Sequence, residues 1–359
     1  MIVNVILYSY FFICMLILSY TVFYIFYNYY RKFVNRRLEN KWKVFVSQQI
    51  QRQSKTGTTD SSFRKRMERD LKKPGNLMNF HLALESFNSK EEPFRMFLHD
   101  IEDSIVKLAM HYGTKGVMEK SYFCQFFSAF NKGQWSQEKL LYVFLEYLKP
   151  STVYVRESVL KAIYSCGHEE WVLRFFSILT EENWFHHPKL LGDGLVLFTG
   201  DRENLAKALC EKRDTYSDFI QQGIIQFISL TSEWYQEEML QCAVDESKNL
   251  EIRLAALRYL KKYPYEKARP FLYNYLLNRE NLYQLRVVSA RTLGSYKAKE
   301  TVEVLKEALH DPNWYVRFNV SESLIELKVN LVDLKDIFLD EDRYAKDILL
   351  YRISERRGK

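Results

Sequence analysis

Three stretches decide the fold: EIRLAALRYLKKY (251–263), QLRVVSARTLGSY (284–296) and YVRFNVSESLIEL (315–327). Each places an apolar residue before an arginine and continues with apolar residues at helical spacing, so each reads as an amphipathic helix opened by a fixed cation. The arginines, Arg253, Arg286 and Arg317, lie 33 and 31 residues apart. A recurrence of about that period is the mark of stacked supersecondary units. YVRESVLKAIYSCG (154–167) is a fourth copy, with Arg156 97 residues before Arg253, which leaves room for two weaker units. Lys189 in HPKLLGDGLVLFTG and Gln221 in FIQQGIIQFISL take the arginine's place in those.

Partner helices are expected between these segments, at 136–147, 171–179, 203–210, 235–244, 266–277 and 300–309. A two-helix unit cannot bury its apolar stripe by itself, so neighbours must stack. Only 12 Gly and 7 Pro are available for turns in 359 residues, too few for a β-sandwich or barrel. The expected fold class is therefore all-α, an α-solenoid of helix pairs. Divergent helices at 77–87 and 119–130 extend the pattern upstream as an N-terminal cap, and a last helix from Arg343 closes the chain.

The units EKARPFLYNYLLNRENLYQLRVVSARTLGSY (266–296) and KETVEVLKEALHDPNWYVRFNVSESLIEL (299–327) resemble HEAT repeats. They have that family's apolar spacing, a proline early in the unit, an acidic turn, and an apolar residue with arginine opening the second helix. The resemblance is good over 250–330, fair over 136–249 and poor before that. It implies an ion-pair ladder in which Asp311 faces Arg317 and Glu280 faces Arg286, with Arg156 and Arg253 in the same structural role. It also implies a concave face that binds another protein. Anchored HEAT-like proteins are by resemblance accessory subunits of integral membrane enzymes, polysaccharide-making glycosyltransferases among them. Tyr259, Tyr283, Trp314 and Tyr315 crowd the best units and are the candidate protein-binding residues, because Tyr and Trp dominate interface hot spots.

The N-terminal thirty residues carry no charged side chain, and Ile2 to Ile25 is almost wholly apolar. That is long enough to cross about 30 Å of hydrocarbon as a helix. A secretory signal would want a basic start, a shorter apolar run and a small-residue cleavage site, none of which is present. Arg31, Lys32, Arg36, Arg37, Lys41 and Lys43 follow at once, and no cation precedes the span. By the positive-inside rule the N-terminus is outside and the body cytoplasmic, at a bacterial-type cell membrane. Residues 31–75 then read as a basic amphipathic helix, with Phe33, Leu38, Trp42, Phe45 and Gln49 on one side, and a flexible linker at SKTGTTDSS (54–62). The domain plan is 1–30 membrane helix, 31–75 basic collar and linker, 76–135 divergent cap, and 136–359 repeats.

Charge position narrows the function classes. From Arg31 to Lys73 there are fourteen Lys/Arg against four Asp/Glu, whereas the whole chain is only +7, so the remainder is net acidic. Nucleic-acid binding, which draws most of its affinity from phosphate attraction, is disfavoured. The cationic collar makes lipid sensing at the membrane surface a second expectation. A HEAT-like enzyme is a third, but the sequence lacks a phosphate loop, a nucleophile elbow and a set of His-Glu dyads, having only His168 with Glu169. Cys14, Cys124, Cys166, Cys210 and Cys242 are scattered without metal or redox spacing. The expected role is a non-catalytic adaptor with no metal and no cofactor.

Overall fold

The computed structural model describes residues 2–149 and 151–357, and every regular element in them is helical. Two compact units divide the chain after Gly167. The first contains α1 (Ile2–Thr56), α2 (Ser61–Asp70), α3 (Pro74–Glu85), α4 (Glu92–Asp100), α5 (Glu102–Gly113), α6 (Val117–Asn131), α7 (Glu138–Tyr147) and α8 (Val153–Cys166). The second contains α9 (Glu169–Glu181), α10 (Pro188–Leu195), α11 (Arg202–Lys212), α12 (Asp218–Thr231), α13 (Gln236–Val244), α14 (Leu250–Lys262), α15 (Arg269–Leu277), α16 (Tyr283–Leu293), α17 (Lys299–Ala308), α18 (Trp314–Glu326), α19 (Lys335–Leu339) and α20 (Arg343–Arg357).

In the second unit the arrangement is solenoid-like. Within pairs, α13 packs on α14, α15 on α16 and α17 on α18; between pairs, α12, α14, α16, α18 and α20 pack each on the next. Every partner helix expected from the sequence is present. Asparagines cap two of the second helices: Asn249 accepts from the Glu251 N–H and Asn313 from the Tyr315 N–H, both at 2.9 Å. Such caps are each worth about 1 kcal/mol. Successive second helices are also clamped by tyrosines ten positions after the repeat arginine. Tyr263 donates to the Ser229 carbonyl and Tyr296 to the Leu260 carbonyl, each over 3.2 Å.

The weaker units pack by a different device. A Cβ on Gly192 of α10 would fall 2.5 Å from Gln226 Cγ, and one on Gly223 of α12 would fall 2.8 Å from Leu191 Cβ. Close backbone approach here replaces the arginine-based packing, and Lys189 and Gln221 stand where the arginine would be.

The first unit has an aromatic core, with Phe80, Phe123, Phe126, Phe127, Phe144 and Trp135 buried. Trp135 satisfies its indole N–H on the Leu98 carbonyl. α1 runs unbroken from the apolar segment into this core. Its Trp42, Val46, Gln49 and Gln53 recur on one face and are buried against α3 and α4. Trp42 meets the Phe80 ring at 5.1 Å, and Gln53 donates to the Met96 carbonyl at 3.0 Å. The collar is therefore the first packing helix of the folded unit.

The expected flexible linker differs as well. α1 ends because Gly57 adopts φ +77° and returns its N–H to the Gln53 carbonyl. Thr59 is buried with its N–H on the Asp100 carboxylate, and Asp60 caps α2 while its own N–H reaches Gln49. Small polar residues here build a pinned turn, held by the Thr59, Asp60 and Ser62 N–H groups and the Thr56 hydroxyl.

Candidate protein-binding face

The site rests on the turns that precede the second helices. Arg286 is buried in α16, and its Nη1 donates to the Arg279 and Asn281 carbonyls at 2.7 and 2.9 Å. The other edge of its guanidinium faces Asp311, in the turn of the following pair: Nε lies 3.0 Å from Oδ2, off-line for a hydrogen bond, and Nη2 donates to Oδ1 over 3.4 Å. Arg317 repeats the pattern one pair on. Its Nε donates to the Asp311 carbonyl, and its Nη1 bridges both Asp342 oxygens at 2.8 and 2.9 Å.

The ladder expected from the sequence is thus corrected. Asp311 gives its carboxylate to Arg286 and only its backbone to Arg317, and Arg286 takes neighbouring carbonyls in place of Glu280. The pairing crosses from one helix pair to the next, where a carboxylate can neutralise a cation that packing has already buried. Arg317 draws the Asp342 carboxyl far below the usual range, against the opposing effect of partial burial, with help from His310. Arg253 uses neutral partners, the Ala243 carbonyl at 3.1 Å and the Tyr275 hydroxyl at 3.2 Å. Arg156, in the first unit, reaches the Ser151 carbonyl at 2.9 Å, and burial lowers its pKa.

These fixed turns present the starts of α16, α18 and α20 to solvent. Tyr283 is 45% exposed, Trp314 58% and Tyr315 59%. Trp314 stacks on Phe318 at 5.1 Å, and the Arg352 guanidinium lies over Phe318 at 4.6 Å, so the tryptophan rests on an ordered support. Leu282 and Tyr344 extend the row and were not singled out from sequence. Tyr344 follows Tyr315 by 29 residues, but the shortened α19 hides that register.

Tyr259 leaves the candidate set. It is 1% exposed; its hydroxyl donates to the Ser232 carbonyl and accepts from the Tyr235 N–H. Helical spacing places it on the face turned toward the preceding pair, which makes it core.

Beside the row runs a charged strip. Glu322 of α18 binds Arg291 of α16 at 3.2 Å and Arg352 of α20. Burial would raise the Glu322 pKa, but the two arginines hold it low. Glu326 reaches past α16 to Lys261 of α14 at 2.9 Å. Gly294 permits the crossing, since a Cβ there would lie 2.6 Å from Glu326 Oε2.

The collar cations are placed in the first unit. Arg31, Lys32, Arg36, Arg37 and Lys41 are exposed; Lys43 is half-buried and pairs with Glu39 at 2.7 Å. Arg37 covers the Phe33 ring, and Lys41 lies near Phe45. Among the described residues no three His, Cys, Asp or Glu side chains gather as metal ligands, and the five cysteines are free thiols. Burial pushes the Cys210 thiol up to about 11, which disfavours the nucleophilic thiolate.

Residues 275–350 match a family model described as HEAT repeats. That span runs from the end of α15 into α20 and contains the exposed aromatic row. No curated protein matches the chain.

Proposed function

We propose that this chain, a HEAT/armadillo-like helix-pair repeat protein with one apolar helix long enough to cross a membrane, is a scaffold that docks a protein partner on the row Leu282, Tyr283, Trp314, Tyr315 and Tyr344. The carrying observation is that large apolar side chains recur, exposed, at the starts of three successive second helices whose turns are held by the buried Arg286 and the half-buried Arg317. Rigid aromatics supply contact area at low entropic cost. Presenting side chains from successive second helices to a partner is the ordinary use of such a stack.

The partner is an integral membrane enzyme, a polysaccharide-making glycosyltransferase being the class the repeat resemblance suggests. Confinement to one membrane raises the effective concentration of two such proteins for each other. In this reading the body faces the cytoplasm, which the cations following the span support. Co-purification from detergent-solubilised membranes tests the reading. The wild-type chain should retain a membrane protein, and Trp314→Ala with Tyr315→Ala should lose it, each by on the order of tenfold in affinity. Equal recovery with both variants would dismiss this face.

A further inference from the structure

α1 contains neither proline nor glycine and is one helix from Ile2 to Thr56, so the direction of its membrane-crossing segment fixes which end of the first unit meets the bilayer. A helix rises 1.5 Å per residue, which places Lys41 and Lys43 about 15 and 18 Å beyond Arg31 along the axis. One continuous helix cannot cross the bilayer and also lie in its plane. The collar as a whole is therefore not a surface helix, and the membrane-facing residues must be sought around Arg31.

Three turns gather at that end. They join α2 to α3, α5 to α6 and α7 to α8, and they are tied together by Tyr112 donating to the Leu71 carbonyl and Tyr147 to the Ala109 carbonyl. A groove of about 680 Å³ opens among them, lined by Arg31, Met78, Val117, Met118 and Tyr154, with Glu119 and Glu157 on its wall. Met118 is 82% and Tyr154 78% exposed, and Val117 and Val153 are also exposed. Lys72, Lys73 and Lys115 stand exposed on the same turns, and both Lys72 and Lys115 press on His111 electrostatically. Apolar tips ringed by cations, next to a membrane span, are the chemistry of an anionic lipid interface.

We propose that this end of the first unit is a second membrane contact, in which Val117, Met118, Val153 and Tyr154 enter the interfacial layer while Lys72, Lys73, Lys115 and Arg31 bind anionic phospholipid headgroups. The contact holds the body against the bilayer and limits its swing about the anchor.

The test uses the full chain with Cys14→Ser and Cys210→Ser, carrying an environment-sensitive fluorophore at Met118→Cys, Tyr154→Cys or Met96→Cys. Met96 belongs to the opposite end, since its carbonyl binds Gln53, about 33 Å along α1 from Arg31. Each protein is placed in nanodiscs of phosphatidylcholine, with or without phosphatidylglycerol, that contain nitroxide-labelled lipid. Labels at 118 and 154 should be quenched, more strongly with phosphatidylglycerol, and the label at 96 should not. Each lysine is expected to contribute about fivefold to the docked population, so Lys72→Gln with Lys73→Gln and Lys115→Gln should weaken docking on the order of a hundredfold. Circular dichroism confirms that the variants fold. Quenching at 118 no greater than at 96 overturns the proposal, as does quenching indifferent to both lipid charge and the lysines. Shielding at 118 that appears only in native membranes would assign the end to a protein instead, and would also overturn it.

Discussion

Removing the Asp311 carboxylate isolates the device that fixes the turns before the second helices. Asp311 and Arg286 have side chains only 4% and 8% exposed, so Asp311→Ala leaves a guanidinium charge in a site from which water is largely excluded. Breaking a buried pair from one side generally costs about 3–5 kcal/mol. Arg286 keeps its bonds to the Arg279 and Asn281 carbonyls, and the Nε contact with Asp311 is off-line, so the lower end, about 3 kcal/mol, is expected. The variant also loses the Asn313 N–H bond to Asp311 Oδ1 at 2.7 Å, which loosens the turn that presents Trp314. Native-state hydrogen exchange of the full chain in detergent reads the effect locally, as faster exchange of amides in α16 and α18. Replacing both partners, Arg286→Met with Asp311→Leu, should recover most of the loss, because the isolated buried charge is gone. An Asp311→Ala loss below about 1 kcal/mol, or a double variant as costly as the sum of the singles, would refute the inference that this pair holds the turns.

Three further outcomes follow from the same geometry. Asp342→Asn should cost about 1 kcal/mol near neutral pH, a figure reduced for its partial exposure. Because the folded carboxyl titrates below its unfolded value of about 3.9, the wild-type advantage is full above that pH and closes as pH falls further, which denaturant titrations at several pH values would reveal. Gly294→Ala should cost about 1–2 kcal/mol and separate Glu326 from Lys261, seen as lost protection at the C-terminal ends of α14 and α18. Alkaline phosphatase fused after residue 357 should be inactive, and a reporter that works in the cytoplasm active, if the collar sets the topology.

Legibility in the sequence followed the length scale of the interactions. Arg253, Arg286 and Arg317 announced the second unit because each opens a helix at a nearly constant interval, and the partner helices fell between them. The ion pairs depart from the sequence expectation because Asp311 and Arg317 are six residues apart in sequence, whereas packing brings Asp311 to Arg286, twenty-five residues back. Short spacing within a turn carries no information about which neighbouring pair a buried cation will face. Tyr259 is core for a related reason that sequence hides: composition flags surplus tyrosines but does not separate core clamps from exposed anchors.

The first unit was harder. α4 and α5 are separated only by Ile101, so no turn signal marks the break, and the core is aromatic on many faces. In α1 the buried stripe includes Gln49 and Gln53, polar residues that bond the Asp60 N–H and the Met96 carbonyl from outside the helix, which weakens its apolar period. The groove beside Arg31 could not be read at all, since it is assembled from separate turns and one position of α1.

Photo-crosslinking at the exposed row tests the central claim most directly. A photoreactive residue at Tyr283, Trp314 or Tyr344 of the full chain, activated in intact cells, should give one common adduct with a membrane protein. The same residue at Leu197, which is 57% exposed but outside the row, should not. Failure of all three positions to yield a protein adduct, or the same adducts from Leu197, would contradict a scaffold that binds its partner through the starts of the second helices.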